Sequence, residues 1–588
     1  MTGCSPVITV GSRKNTTINQ LIHTMKKTNL TKALFIAAFA FVAALTGCST
    51  DQKLNVEMLP VQLEKDGNWS MLKPDGSIMY EGEFKEAPTL AVNGMFTVKE
   101  GEGYTVYKTG DKPVAVKNME DLKEVGIMAG GLIPAVAKNS RIALYDDEGN
   151  KKFELMPHKG REIVECAPFY GDGLLYVADE TGKVGFVDDE GKMVIEPQYD
   201  RASGFMEGYA VVYKKLDADN GKTDNENYKK YVINKKGEKV LDLKTDYELS
   251  TPVVIAGYLS VKDENDRYLF IDMKGEAIKC PAKVEEVVYW TKDFYVFRSD
   301  GSYGVMDYKG ETLIRPKYDE IVWDNEHEIF FAKMSDECMI LDKKGEKVKN
   351  IDYEYAYPIM GFGIVARDKR TYALIDKEGK QIGKDDYHDM ILSISGQHLE
   401  TDYFDAEAII HKLVEKISDK GYGSVKFGAQ PSDYLKEHVY NNTAEVPDMT
   451  EKGFRYSVDV GIGSSVNFAQ WQDGEWQWNP ESKVQFIITS LKVQGEWEQK
   501  QDESLVKAIG QKGFKELGHK IDGSNYTALL QKGDTYILYR SELKAFFMFD
   551  GSVPDVKAQM QQLATELGTA AMPAEGAEPD GGADSTQP

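Results

Sequence analysis

Between about residues 60 and 395 the chain repeats itself, and a repeat this short cannot bury a core of its own. A glycine closing a polar turn recurs at 76, 110, 149, 191, 237, 275, 310, 345 and 379, at spacings of 34, 39, 42, 46, 38, 35, 35 and 34 residues. The clearest copy runs Gly182-Lys183-Val184-Gly185-Phe186-Val187-Asp188-Asp189-Glu190-Gly191, then Glu196-Pro197-Gln198-Tyr199-Asp200, then Gly208-Tyr209-Ala210-Val211-Val212. A second joins Tyr303-Gly304-Val305-Met306-Asp307-Tyr308-Lys309-Gly310 to Arg315-Pro316-Lys317-Tyr318-Asp319. Other copies keep mainly the turn, at Gly76, Gly149, Gly237, Gly275, Gly345 and Gly379, with Gly110 a degenerate member.

The pattern has a mechanical reading. A short apolar strand ends in Asp or Asn, whose side chain caps the backbone two residues on, and a left-handed glycine closes the hairpin. The return strand ends near Pro-x-Tyr-Asp, because proline cannot pair inside a sheet. Each copy then supplies three or four short strands, so neighbours must stack. We expect a mainly β, tandem β-repeat array over residues 60–397. A propeller-like ring, which hides strand edges, is favoured; an open β-solenoid is the alternative. Nine turns exceed the usual four to eight blades, so some copies are expected to be caps or partial. No long amphipathic helix is expected in this region.

These units resemble the WG-type β-repeat, named for an aromatic-glycine pair that opens a strand. Here the pair is Val184-Gly185 and Tyr303-Gly304, followed by Asp188 to Gly191 and Asp307 to Gly310. Most other copies lack the paired glycine, as at Arg141-Ile142-Ala143 and Tyr372-Ala373. The resemblance implies a binding platform among surface and periplasmic lipoproteins, and no particular reaction.

Upstream, Met25-Lys26-Lys27 and Lys32 precede the apolar run Ala33 to Leu45, and Leu45-Thr46-Gly47-Cys48 follows at once. Thirteen apolar residues suit a signal-peptide core and are short for a membrane span. The segment resembles a bacterial lipobox, which implies cleavage before Cys48 and acylation of its thiol. The expected layout is leader and signal peptide over 1–47 and tether over 48–59, with Met25 or Met1 as the start. Acyl chains, each buried methylene contributing about 0.8 kcal/mol, would fix the protein to an envelope membrane. The outer membrane, on its periplasmic or surface face, is the expected location.

After Gly379 the pattern changes to a smaller α+β domain over 400–568. A helical stripe joins Ala406, Ile409, Ile410, Leu413, Val414 and Ile417. A second helix is expected over about 503–517, and a last one carries Val556, Met560, Leu563 and Leu567 on one face. Strands are expected at 454–460, 466–471, 484–493, 526–531, 535–539 and 544–549. Lys420-Gly421-Tyr422 and Lys512-Gly513-Phe514 hint at a duplication. Residues 569–588, rich in Ala, Gly, Pro and acid, have nothing to bury and are expected to be disordered.

The chemistry-bearing residues are sparse. A net charge of -24 repels phosphate backbones, so nucleic acid is not an expected partner. Cys166, Cys280 and Cys338 are odd in number and far apart, which disfavours disulfides and zinc. Glu326-His327-Glu328 and the 385–389 cluster around His388 read as charged loops, because neighbours on a strand face opposite ways. Asp217, Asp219 and Asp224 offer oxygens for calcium, although the glycine is misplaced for an EF-hand; otherwise no cofactor is expected. Gly461-Ile462-Gly463 and Gly421-Tyr422-Gly423 lack the lysine and setting of a phosphate loop.

Aromatic residues are the better lead. Trp471, Trp476 and Trp478 lie within eight residues of one another, as on an exposed hairpin that stacks on a sugar or anchors a partner. Together these features predict a lipid-anchored binding or scaffold protein without catalytic activity, whose partner is an envelope protein or glycan. Accessory capture of a glycan or peptide is the second expectation, and an envelope hydrolase with a spatial carboxylate pair the third.

Overall fold

The computed structural model describes residues 54–216, 227–249, 251–359, 361–394 and 397–568. The chain divides into two compact units that meet between Thr401 and Asp402.

The first unit is mainly β: nine antiparallel meanders in succession, spanning 56–84, 91–115, 124–154, 163–199, 201–243, 258–279, 286–318, 320–351 and 355–387. The seventh shows the plan: Glu286–Trp290, Phe294–Ser299, Ser302–Asp307 and Thr312–Tyr318 pair in that order. The turn between the last two strands follows the residue chemistry. Asp307 Oδ1 accepts from Lys309 N at 2.9 Å and Glu311 N at 2.8 Å. The same pair of bonds recurs at Asp146, Asp188, Asn234, Asp272, Asp342 and Asp376. Eight of the nine turn glycines are left-handed, and Gly110 is not. Its N–H and carbonyl are instead both bonded to the Tyr80 hydroxyl, at 2.9 and 2.7 Å.

The nine units close into a ring. The short strand Asp389–Met390, which follows the last strand of unit nine, pairs with Val56–Gln62 of unit one in the register Val61↔Met390. Flanking bonds run from His388 N to Gln62 O and from Ile391 N to Pro60 O. Unit one thus takes its innermost strand from the far end of the repeat, which rules out the open β-solenoid. Caps are not needed: the ring has no free end. Unit six is the partial copy, with three strands, and units one and two share a sheet through Val56↔Val92.

Adjacent sheets pack face to face; several interfaces have their own apolar cluster, and one larger cluster runs through units one, three, four, six, seven and nine. Phe294, Val305, Ile314, Trp323 and Phe330 join units seven and eight. Val61, Leu72, Val365, Leu374 and Tyr387 join units nine and one. Removal of such side chains from water, worth about 1.5–3 kcal/mol each, exists only between copies, which is why none stands alone.

The paired glycine of the two strongest copies has a steric reason. Pro197 and Pro316 lie inside fourth strands that bulge, since the register slips between Val305↔Ile314 and Tyr303↔Tyr318. The bulge presses on the third strand: a Cβ on Gly304 would lie 2.6 Å from Ile314 O, and one on Gly185 2.4 Å from Ile195 O. Among the described residues no other fourth strand contains proline, although those of units one and nine also bulge, with Ser70 and Ala373 at the matching place.

Beyond the closing strand, Ile391, Leu392 and Ile394 pack on the ring core. Leu399–Glu400 then pairs with Ile163–Cys166, adding a fifth strand to unit four. His398 Nδ1 meets Glu165 Oε1 at 2.5 Å, and Glu400 N donates to Glu124 Oε2 at 2.7 Å.

The second unit is an antiparallel sheet in the order 443–445, 456–463, 486–493, 545–550, 535–540, 525–532, 515–522. Helices α1 (Ala406–Glu415) and α2 (Gln499–Gln511) pack on one face through Ile410, Leu413, Leu505 and Ile509. Helix α3 (Pro554–Gly568) covers the other face near Leu529 and Tyr536. Helix α2 starts and stops earlier than its apolar spacing predicts, because Gly513 is left-handed and Lys515–Asp522 continues as a strand. The two Lys-Gly-aromatic matches hold different places: Gly421 is in a strand, and Gly513 follows a helix. Among the described residues no helix is long and apolar enough to cross a membrane.

Candidate binding surface

The expected tryptophan hairpin is present. Ala469–Gln472 and Glu475–Trp478 form a two-stranded sheet of their own around Asp473-Gly474, both left-handed. Its register, Ala469↔Trp478 and Trp471↔Trp476, puts these four residues on one face. Gln470↔Gln477 and Gln472↔Glu475 make the other face entirely polar. At its base the aromatic face enters the core: Ala469 is buried, and Trp478 packs on the apolar cluster of the second unit. Toward the tip it turns to solvent, with Trp471 61% and Trp476 41% exposed.

A third ring extends the surface. Tyr440, 62% exposed, meets Trp476 at a centroid distance of 5.1 Å and 63°, while Trp471 meets Trp476 at 5.3 Å and 77°. Both contacts are edge-on, as ring quadrupoles prefer. His438 lies 4.8 Å from Trp478. Sequence proximity identified the tryptophans; Tyr440 is more than thirty residues away in the chain and had no local signal. The fourth tryptophan of this unit, Trp497, is structural: its Nε1 donates to Asp502 Oδ1, as does the Tyr539 hydroxyl.

The other candidates resolve into turns and pairs. His327 Nδ1 meets Asp324 Oδ2 at 2.7 Å, and Asp324 Oδ1 caps the Glu326 and His327 amides, while Glu328 pairs with Lys343. His388 belongs to the ring closure. Gly461 and Gly463 are strand residues, and Gly463 faces Phe486. Asp146, Asp147 and Glu148 bring their carboxylates together, but Asp146 caps its own turn and Asp147 pairs with Lys108 at 2.7 Å. The Lys108 bond is the main reason that Asp147 is held below its ordinary range. The calcium candidates Asp217, Asp219 and Asp224 lie outside the described residues, as do Cys48 and the signal peptide. Gly149, Gly191, Gly237, Gly275, Gly310, Gly345 and Gly379 are turn residues of the ring.

Loops at one edge of the ring brace one another. Asp172 Oδ2 accepts from Gly208 N at 2.6 Å, and Glu207 accepts from Ala256 N and Gly257 N at 2.7 and 2.8 Å. Carboxylates of one unit thus satisfy backbone amides of the next.

Among solved structures, a eukaryotic initiation factor is similar at 8% identity and a TM-score of 0.40, over 59% of this chain and 98% of that one. BamB from Moraxella catarrhalis is similar at 12% identity and 0.28, over 48% and 91%. Porphyromonas gingivalis dipeptidyl peptidase 4 is similar at 10% and 0.34, over 53% and 61%. No curated protein matches by sequence. The chain does carry the WG containing repeat at residues 185–215 and 303–337, stretches that run from the third strand of one ring unit into the second or third strand of the next.

Proposed function

We propose that this protein is a lipid-anchored scaffold of the cell envelope, its β-ring serving as a rigid platform for other proteins without catalysis of its own. The observation that carries this reading is the self-closed ring of nine stacked units bearing two matched WG containing repeats. Such a ring leaves only short outer strand edges and presents fixed loops. His158, His327 and His398 are each paired with a carboxylate, which suits a surface that holds rather than transforms. Anchoring rests on the Cys48 motif, and tethering at a membrane raises the effective concentration of whatever the ring meets.

Photo-crosslinking in intact cells tests the platform. A benzophenone side chain replacing exposed Val114 or Val348 is expected to capture the same envelope protein repeatedly, and capture of none counts against it. Cys48→Ser tests the anchor separately: the variant is expected to leave the membrane fraction and to lose its fatty acid.

A further inference from the structure

The indole wall of the second unit asks for a ligand. A two-stranded hairpin standing outside the main sheet is marginal in water, and clustered exposed indoles on it invite nonspecific association. Here Trp471, Trp476 and Tyr440 form one stepped surface, held from below by Trp478 and Ala469.

We propose that this surface binds a carbohydrate: an uncharged, β-linked chain of pyranoses with equatorial substituents. Equatorial sugars present a flat C–H face, and an indole is the matching flat apolar partner. The near-perpendicular rings give a stacking face with a wall beside it, so that a sugar is located as well as attracted. The rings brace one another edge-on above a base that Trp478 ties to the core, which reduces the ordering entropy lost on binding.

Two other occupants fit less well. Asp473 and Glu475 stand exposed at the tip, where negative charge opposes an anionic lipid surface or a polyanionic glycan. A protein partner needs about 1,000 Å² of complementary surface, and three rings bordered by charged and amide side chains fall well short of that.

The test is calorimetric titration of the purified full-length protein with cellohexaose and hexa-N-acetylchitohexaose, beside maltohexaose, polygalacturonate and phosphatidylglycerol vesicles. Saturable binding of at least one β-linked hexaose is expected. Trp476→Ala should weaken it at least about tenfold, and Trp471→Ala with Trp476→Ala should abolish it. Both side chains are exposed, so circular dichroism should match the parent. Three results would overturn the proposal: no binding of either β-linked hexaose, equal binding by the double variant, or tighter binding of polygalacturonate or vesicles. A ring that captures no protein leaves it untouched.

Discussion

Gly383 rests against Gly76, and this contact joins the last unit of the ring to the first. A Cβ on Gly76 would lie 2.9 Å from the Gly383 Cα, and one on Gly383 would lie 2.8 Å from the Gly76 carbonyl oxygen. Equivalent seams occur elsewhere: Gly191 meets Phe153, Gly237 meets Ile195, Gly345 meets Ile314 and Gly379 meets Ile351. In each, a turn glycine abuts the last strand of the preceding unit. Tyr80 and Gly110 make the seam between units one and two by hydrogen bonds instead.

The seam can be weighed against simple backbone strain. Gly301 is left-handed but has open space around it, so Gly301→Ala should cost only the backbone term, about 1–2 kcal/mol. Gly76→Ala should cost a further 1–3 kcal/mol or so for the clash. Denaturant midpoints of the two variants, measured together, check the difference; equal losses would mean that the seam is slack.

Gly304 and Pro316 should be coupled. Gly304→Ala places a methyl group 2.8 Å from the Pro316 nitrogen and is expected to destabilise by about 1–3 kcal/mol. Pro316→Ala frees the φ that the pyrrolidine ring fixes, so the return strand can shift off the methyl group, and the double variant should recover at least about 0.5 kcal/mol relative to additivity. A double-mutant cycle by chemical denaturation measures this, and strict additivity would refute it.

Acid should loosen the strand that unit four borrows from the linker. The hydrogen bond from His398 lowers the Glu165 carboxyl below its ordinary 4.5 by more than burial raises it. A carboxyl depressed by folding stabilises fully above its unfolded value and loses that contribution as pH falls through the folded one. The protection factors of the amides at 399–401, taken against their intrinsic exchange rates at each pH, should therefore fall as the pH drops below about 4.5. In Glu165→Gln they should already be low at neutral pH. Protection that persists equally in the variant would show that the pair is idle.

The three ring cysteines should be inert until the ring opens. Burial pushes the Cys166 thiol well up, Cys280 to about 11 and Cys338 to about 12, and all three are buried. The thiolate is the reactive form, so iodoacetamide at pH 8 should leave them unmodified in the native protein and label all three in guanidinium. Mass spectrometry of the tryptic peptides reads the outcome; labelling of Cys338 in the native state would point to local opening of unit eight.

Much of the ring was legible because its signals are local. An aspartate that caps amides two and four residues on, followed by a left-handed glycine, is written in five consecutive residues, and Asp307 to Glu311 behaves as its letters imply. The helix α1 stripe and the tryptophan hairpin are local in the same sense. Helix α2 departs by a few residues from its apolar spacing, which runs through Gly513 into a strand whose pairing partners lie further along the chain.

The sequence alone established a repeating β-body, the places of its turns, a Cys48 motif and the tryptophan cluster, since each is a property of neighbouring residues. Only the tertiary structure decided that the copies close as a ring of nine, that Gly185 and Gly304 are small because a proline bulge crosses them, and that Tyr440 joins Trp471 and Trp476. These outcomes depend on contacts between residues far apart in the chain, and the pairing of Val61 with Met390 leaves no trace in either segment read by itself.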